Sequence, residues 1–497
     1  MPAPAAWLTC IAACFVVLAV PQARADAPAT LAQALADAYN YNATLQQQRA
    51  TLRATDEQVP TALSGWRPTV DLTGQVGRIT GNETFQSVGF NGLPVTQHLP
   101  QSRDEAVSQI QLTQPIYAGG KTIAQTREAK NSVYAARAQL LAAEQSVFLN
   151  VVSAYVSIIT DAQIVALDQS NVRVSVQQLQ ATQDQFKAGE ITLTSVAQAQ
   201  ASLAQAKEQQ EIAIGNLQVA RENFHNLVGL YPAAHLAPPQ PLSLPVASAS
   251  AAGRAALANN PNVIAAQFTN AANKDAVDVA FSVLLPQLSV QASAYDQYGS
   301  AGPNSRITGG QVLGVLTVPL YQGGSEYAAI RQARATEQQS FAGVLNQQRS
   351  AYANATQSWA ALISTRAAII STNAEIKANA IALDGTERQE LVGTSTTFDV
   401  LYQQQLLLNS QVQQVQNIAT LVNNSYQVAA AIGRLTATDL ELPVTHYDDE
   451  KYYDDVEYAG FGTGSAADAR AGIAPDGSLL AARQPPVIAD GPARPAP

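Results

Sequence analysis

The sequence predicts a mixed fold in which transmembrane-type β-strands alternate with very long coiled-coil helices, the whole unit being written twice. Three observations carry this: a Pro-aromatic-Gly-Gly element repeated at a fixed offset, 68 consecutive residues without Gly or Pro, and short segments of polar–apolar alternation.

The duplication comes first, because a missed repeat misassigns the whole fold. Pro115-Ile116-Tyr117-Ala118-Gly119-Gly120 recurs as Pro319-Leu320-Tyr321-Gln322-Gly323-Gly324, an offset of 204. The same offset carries Gly189 onto Gly393 and Gly229 onto Gly433. It also carries the heptad series Val151, Ile158, Val165, Val172 onto Ala355, Leu362, Ile369, Ile376. Upstream the offset is 218, pairing Asn42 with Asn260 and Pro68 with Pro286. The 14 extra residues of the first repeat fall in the Gly- and Asn-rich stretch Thr80 to Arg103, which reads as a loop.

The helices follow from what is missing. Lys121 to Ala188 contains no Gly or Pro, and a continuous helix of that length is about 100 Å long. Apolar heptads sustained over such a span indicate coiled-coil packing, with Ala at seam positions allowing close approach. A step of four from Val147 to Val151 breaks the phase, a stutter that locally unwinds the supercoil.

The strands follow from alternation. Val70 and Leu72 alternate with Asp71, Thr73 and Gln75; Ile110 and Leu112 with Gln109, Gln111 and Thr113; Leu288, Val290, Ala292 and Ala294 with Ser289, Gln291 and Ser293. Leu313 and Val315 blur the pattern in the fourth strand. Such alternation over about ten residues marks an outer-membrane barrel strand. Four strands per chain cannot close a barrel, and an open sheet edge in lipid leaves backbone groups unpaired. Three copies sharing one twelve-stranded barrel resolve this, with Trp66, Tyr117 and Tyr321 as membrane-interface aromatics.

Composition sets the compartment. Trp7 to Val20 is almost wholly apolar and precedes Ala23-Arg24-Ala25, the layout of a secretory signal peptide, although no Lys or Arg stands before the apolar run. Cleavage after Ala25 would remove Cys10 and Cys14, both of the chain's cysteines, excluding disulfides and thiolate sites. The mature charge of about −11 disfavours nucleic acid as a partner. Charged residues are 13% of the chain, roughly half the usual share. No apolar run after the signal reaches the length of a membrane helix. His98, His225, His235 and His446 share no metal-ligand spacing, no Met follows Met1, and no catalytic constellation or cofactor motif is present.

The ordered, duplicated set of Asn42-x-x-Leu45, Pro68 and Pro286, the two Pro-aromatic-x-Gly-Gly elements and the turns Ala188-Gly189 and Val392-Gly393 resembles the TolC family of outer-membrane factors over residues 30 to about 442. The resemblance implies a trimeric channel-tunnel in the outer membrane, its barrel continuing into a periplasmic α-barrel. Its implied partners are a periplasmic adaptor and an inner-membrane transporter, with drugs, other small molecules or secreted protein as cargo. It also implies a periplasmic constriction at Asp399 and Tyr402. Ser395, Glu390 and Ser195, with Thr194 beside it, stand at the gate-tie positions, so the charged tie of the family is absent. The hairpin tips Ala188, Gly189, Glu190 and Val392, Gly393, Thr394 are the expected adaptor contacts. A plainer reading of Asp399 is a helix N-terminal acid after Gly393.

The expected organisation is a signal peptide at 1–25, then a first repeat at 26–240, with strands at about 68–79 and 105–117 and a helical hairpin over 121–229. A second repeat at 241–442 has strands at about 286–298 and 310–321 and a hairpin over 323–434. The acidic, Tyr-rich residues from 443 open an expected disordered periplasmic tail to 497. The competing classes are a periplasmic coiled-coil adaptor, which lacks a duplicated strand pair, and a trimeric adhesin, whose strands are all C-terminal.

Overall fold

The computed structural model describes residues 27–88, 90, 92–300, 304–460 and 462; the expected signal peptide lies outside them. In chain order the elements are α1 (Leu31–Tyr41), α2 (Ala43–Asp56), α3 (Gln58–Leu63), β1 (Thr69–Val88), β2 (Pro94–Ala118), α4 (Lys121–Lys187) and α5 (Leu193–Val228). Then follow α6 (Ala249–Asn259), α7 (Pro261–Ser282), β3 (Gln287–Tyr298), β4 (Arg306–Thr317), α8 (Ser325–Leu391), α9 (Thr397–Ala431) and α10 (Lys451–Val456). The order of helices, two strands, a very long helix and a shorter helix occurs twice along the chain.

One residue shows why the repeated motif is needed. Asn42 sits between α1 and α2, where its Oδ1 accepts the Thr44 N–H at 2.9 Å and its Nδ2 donates to the Leu227 carbonyl at 2.8 Å. Asn260 does the same in the second repeat, accepting from Asn262 N–H at 3.0 Å and donating to the Ala431 carbonyl at 3.1 Å. A single amide therefore caps a helix and ties it to the end of a long hairpin, satisfying orphan groups at two helix termini.

α4 and α8 each run 67 residues, about 100 Å of helix. Both end in the same Schellman turn. Gly189 (φ +80°) and Gly393 (φ +76°) take the left-handed conformation, while Glu190 N–H reaches the Gln185 carbonyl and Thr394 N–H that of Gln389. The main core lies where α1 crosses the middle of α4 and the end of α5. Phe148, Val151, Tyr155, Phe224 and Val228 are fully buried there. α4 also holds an 18-residue window of mean hydropathy 1.5, enough by composition to cross a membrane, although no uninterrupted apolar run foretold it. This hydropathy belongs to a helix that carries the core, and 44% of the window is buried.

The four strands form one antiparallel sheet in the order β1-β2-β3-β4, with β1 and β4 at its edges. Here the structure corrects the expected loop. β1 and β2 stay paired from Thr69↔Thr113 to Val88↔Pro94, so Thr80 to Arg103 is mostly a two-stranded ribbon extending past β3. Cross-strand pairs such as Thr84 Oγ1 with His98 Nδ1 at 2.8 Å bridge it, outweighing the local turn preference of Gly and Asn.

The tail is also corrected for its first part. Residues 445–460 are ordered and strapped along α2, α3 and α4, while 463–497 lie outside the described residues. Lys130 Nζ pairs with Glu457 at 2.9 Å and Arg137 with Glu450 at 3.0 Å. The Arg67 guanidinium donates to the carbonyls of Tyr458 and Ala459, and Arg49 stacks on Tyr39 and Tyr447. Tyr453 packs beside Val59, Ala129 and Val133. Asp449, Glu450 and Glu457, three of the acids that suggested a solvated tail, are counter-charges to Lys130 and Arg137.

Candidate pore and gate

The register sorts the sheet into two faces. Val70, Leu112, Ala292 and Val312 form one row across it, and Leu72, Ile110, Ala294 and Gly310 the next. Val70, Leu72, Val76, Ile110, Val312 and Leu316 are all exposed. The opposite face carries the row Asp71, Gln111, Ser293, Gln311, and Gln109 Nε2 donates to Gln111 Oε1 at 3.4 Å along it. Trp66, Tyr117 and Tyr321 are exposed at the end of the sheet that meets the helices. Trp66 stands before β1, Tyr117 near the end of β2, and Tyr321 just beyond β4.

The helical part continues this polarity. A groove of about 560 Å³ between α4 and α5 is lined by the amides and hydroxyls of Asn150, Ser153, Ser157, Asn216, Asn223 and Asn226 and by the carboxyl of Asp161. On the opposite side of α4, Phe148 packs on Tyr39 of α1 and Tyr155 donates to the Ala29 and Ala237 carbonyls. The side away from α1 is therefore made of short polar side chains, with the Asp161 carboxyl among them.

At the far tips the candidate gate residues are locally engaged. Thr396 Oγ1 accepts the Asp399 N–H at 3.3 Å, and Asp399 Oδ2 accepts from Thr396 N–H at 2.9 Å, Thr396 Oγ1 at 2.6 Å and Ser395 Oγ at 3.2 Å. This is a capping box at the start of α9. The Thr396 hydroxyl, then its N–H, then Ser395 hold the carboxyl below the usual carboxylate range. Tyr402 is exposed and stacks on Phe398 at 6.2 Å. Ser195 donates its N–H to the Thr192 carbonyl, and among the described residues no hydrogen bond joins Thr194 or Ser195 to Ser395 or Glu390. One Glu390 carboxylate oxygen is shielded and lacks a partner within the protomer. Ala188, Gly189, Glu190, Val392, Gly393 and Thr394 form the turns themselves, and Leu391 and Val392 beside them are exposed. The capping box was readable in Thr396-Thr397-Phe398-Asp399; the Glu390 orphan had no sequence signal.

A two-faced sheet joined end to end with helical hairpins about 100 Å long defines a membrane β-structure with a projecting coiled-coil wall. The profile of the outer membrane efflux protein family matches residues 22–230 and 252–434, and the chain belongs to that family. Outer membrane efflux protein BepC of Brucella suis biovar 1 (strain 1330) is 32% identical over 435 residues, covering 87% of this chain and 91% of that protein. The Campylobacter jejuni CmeC outer membrane channel shares the fold with a TM-score of 0.70 at 16% identity, covering 81% of this chain and 85% of that one. The outer membrane protein VceC of Vibrio cholerae gives 0.69 at 19% identity, covering 81% and 96%. The protein is a TolC-family outer-membrane factor of the Gram-negative envelope, reaching from the outer membrane into the periplasm.

Proposed function

We propose that three copies close their sheets into one twelve-stranded barrel and their hairpins into one tunnel, forming the exit duct of a tripartite export system. The observation that carries this is the single-protomer sheet, which has two open edges, one exposed apolar face and one polar face. Unpaired edges cost several kcal/mol per group in lipid, so the sheet needs its neighbours. Lipid surrounds the apolar face, and Trp66, Tyr117 and Tyr321 sit at its periplasmic margin. An inner-membrane transporter supplies drugs, other small molecules or secreted protein, and a periplasmic adaptor meets the tips at Gly189 and Gly393. The wall is lined mainly by Asn and Ser, with Asp161 as an acid in each protomer's groove.

Topology tests the reading. With no thiol expected in the mature chain, a cysteine at Phe90, in the turn of the long ribbon, should react with an impermeant thiol reagent on intact cells. One at Glu190 should react only after the outer membrane is permeabilised. The opposite pattern, or a monomer in detergent by mass, would reject the duct.

The gate is part of the same proposal. Three Asp399 carboxylates ring the constriction with Tyr402, and Glu390 accepts a hydroxyl from Thr194 or Ser195 of the neighbouring hairpin in place of a charged tie. In planar bilayers, Asp399→Ala should weaken block by divalent cations, because the converging charges are gone. Conductance of the natural protein should depend on pH and that of Asp399→Ala should not, since the capping hydrogen bonds lower the carboxyl within a protomer while the converging carboxylates of the ring raise it. Within a protomer the Asp399 pKa is lowered, so the cap persists above the ordinary value and is lost as pH falls through the lowered one. Tyr402→Ala should raise conductance and leave block unchanged. Full block in Asp399→Ala channels would leave Asp399 as a helix cap alone.

A further inference from the structure

The groove between α4 and α5 differs from the second hairpin in how its polar groups are used. In the α8–α9 seam they are bonded to one another. Asn424 Nδ2 donates to Thr365 Oγ1 at 3.1 Å and, one heptad away, Asn417 Nδ2 donates to Thr372 Oγ1 at 3.0 Å, a ladder across the seam. Thr420 Oγ1 donates to the Gln416 carbonyl at 2.8 Å. The groove makes no such bonds. Among the described residues, neither Asp161 nor any of the six amide and hydroxyl side chains that line the groove with it has a side-chain hydrogen bond or ion pair within the protomer.

The duplication sharpens this contrast. Shifted forward by 204 residues, Asp161 becomes Thr365, Asn216 becomes Thr420, Ser157 becomes Ala361 and Asn226 becomes Ala430. The first hairpin keeps an acid and unbonded amides where the second has bonded hydroxyls or methyl groups. Their spacing also gathers them. Asn150, Ser153, Ser157 and Asp161 recur at three and four residues on one face of α4, and Asn216, Asn223 and Asn226 share a face of α5.

The lining selects the chemistry of an occupant. Asp161 is half-buried and is the one charged side chain in it, so an anion meets no counter-charge there and a cation meets one. Glu222, the next acid along α5, lies outside the lining and is bonded to Gln218 and Tyr231. A bare divalent ion takes about six to eight oxygens at short range, and one carboxylate among neutral amides spread over a groove is a poor cage for it. The volume of about 560 Å³ is instead within the roughly 300–1,000 Å³ usual for a small organic ligand. Amides donate and accept together, as the hydroxyls of a sugar do. The buried Ala154 and Ala220 leave the floor low enough for ring carbons to approach.

We propose that the α4–α5 groove binds a polyhydroxylated amine of the amino-sugar class, with Asp161 pairing its ammonium and the α5 asparagines bonding its hydroxyls. Water satisfies exposed amides as well, so the ligand competes by matching those bonds and adding the ion pair. The groove belongs to one protomer; only its place on the path of cargo rests on the duct reading.

Equilibrium titration of the full-length protein in detergent with kanamycin measures binding without conduction. Saturable binding of one molecule per protomer is expected, and Asp161→Asn should weaken it about tenfold or more. Asn216→Ala combined with Asn223→Ala should weaken it several-fold. Sucrose, hydroxylated but uncharged, and spermidine, charged but without hydroxyls, should each bind at least about tenfold more weakly than kanamycin. Glu222→Gln should bind as the natural protein does. Unchanged binding in Asp161→Asn overturns the proposal, and so does spermidine binding as tightly as kanamycin. Equal losses in Glu222→Gln and Asp161→Asn reduce it to attraction by the net negative charge and overturn it too. Should Asp161→Asn fail to fold, the three ligands compared on the natural protein decide. A trimer that binds no kanamycin rejects the groove and leaves the duct, whereas a monomer that binds it rejects the duct and leaves the groove.

Discussion

Leu72→Arg is expected to abolish assembly in the outer membrane, while Thr73→Arg, one residue away, is expected to assemble. Leu72 is 79% exposed in the protomer and shares its face with Val70 and Val76. Its row runs through Ile110 and Ala294 to Gly310, so the exposed apolar band continues across all four strands. An arginine on the lipid face costs roughly 2–4 kcal/mol at mid-bilayer, and the proposed trimer carries it three times. Side chains in a strand alternate faces, so position 73 points to the polar side with Asp71 and Gln75. An added guanidinium there meets water and neighbouring glutamines. Recovery of trimer from the outer-membrane fraction is the measurement. Equal recovery of both variants would show that the faces are wrongly assigned.

The sheet faces were legible because barrel alternation is a local, period-2 signal that survives in one strand at a time. The hairpins were legible because a helix with no Gly or Pro over 68 residues has few other options. What escaped the sequence depended on partners far along the chain. Thr80 to Arg103 carries turn-forming Gly and Asn, and its extension into a ribbon rests on pairing between two halves that each look weak alone. The acids from Asp448 to Glu457 are the composition of a solvated tail until Lys130 and Arg137, some 300 residues away, are placed beneath them. The seam ladder was hidden more deeply. Thr365 and Asn424 look like ordinary polar interruptions of a heptad, and only the fold shows that they meet. Asp399 is the converse case: the capping box was written in four consecutive residues, and the structure displays it in full.

Removing the charge from Asp56 is expected to stabilise the protein, increasingly as pH rises from about 3.8 to about 7 and fully above that. Asp56 ends α2 beneath the strap and is 1% exposed, with one carboxylate oxygen lacking any hydrogen-bond partner. Burial lifts its pKa from 3.8 to about 7; Arg137 opposes this, while Asp449 and Glu57 add to it. The same Arg137 is already shared with Asp449 and Glu450, so its charge is divided among three acids. Because the folded pKa is raised, the stability linked to the protonated form is complete below 3.8 and is lost as pH climbs through about 7. A tenfold change in proton affinity corresponds to about 1.4 kcal/mol, so the ionised form costs on the order of 2–4 kcal/mol, the lower end allowing for relaxation around the site. Asp56→Asn keeps the shape and cannot ionise. Its melting temperature should match the natural protein below about pH 3.8, pull ahead as pH rises toward about 7, and exceed it by several degrees near pH 8. Arg137→Gln should do the reverse, since it leaves Asp56, Asp449 and Glu450 without their common counter-charge, and its loss should be greatest at high pH. Strap release can be followed in the same samples as proteolytic cleavage within 445–460, which should appear in Arg137→Gln as pH rises and be suppressed in Asp56→Asn. If Asp56→Asn instead melts in parallel with the natural protein at every pH, Asp56 does not titrate between folded and unfolded states, and the strap is held by its ion pairs alone.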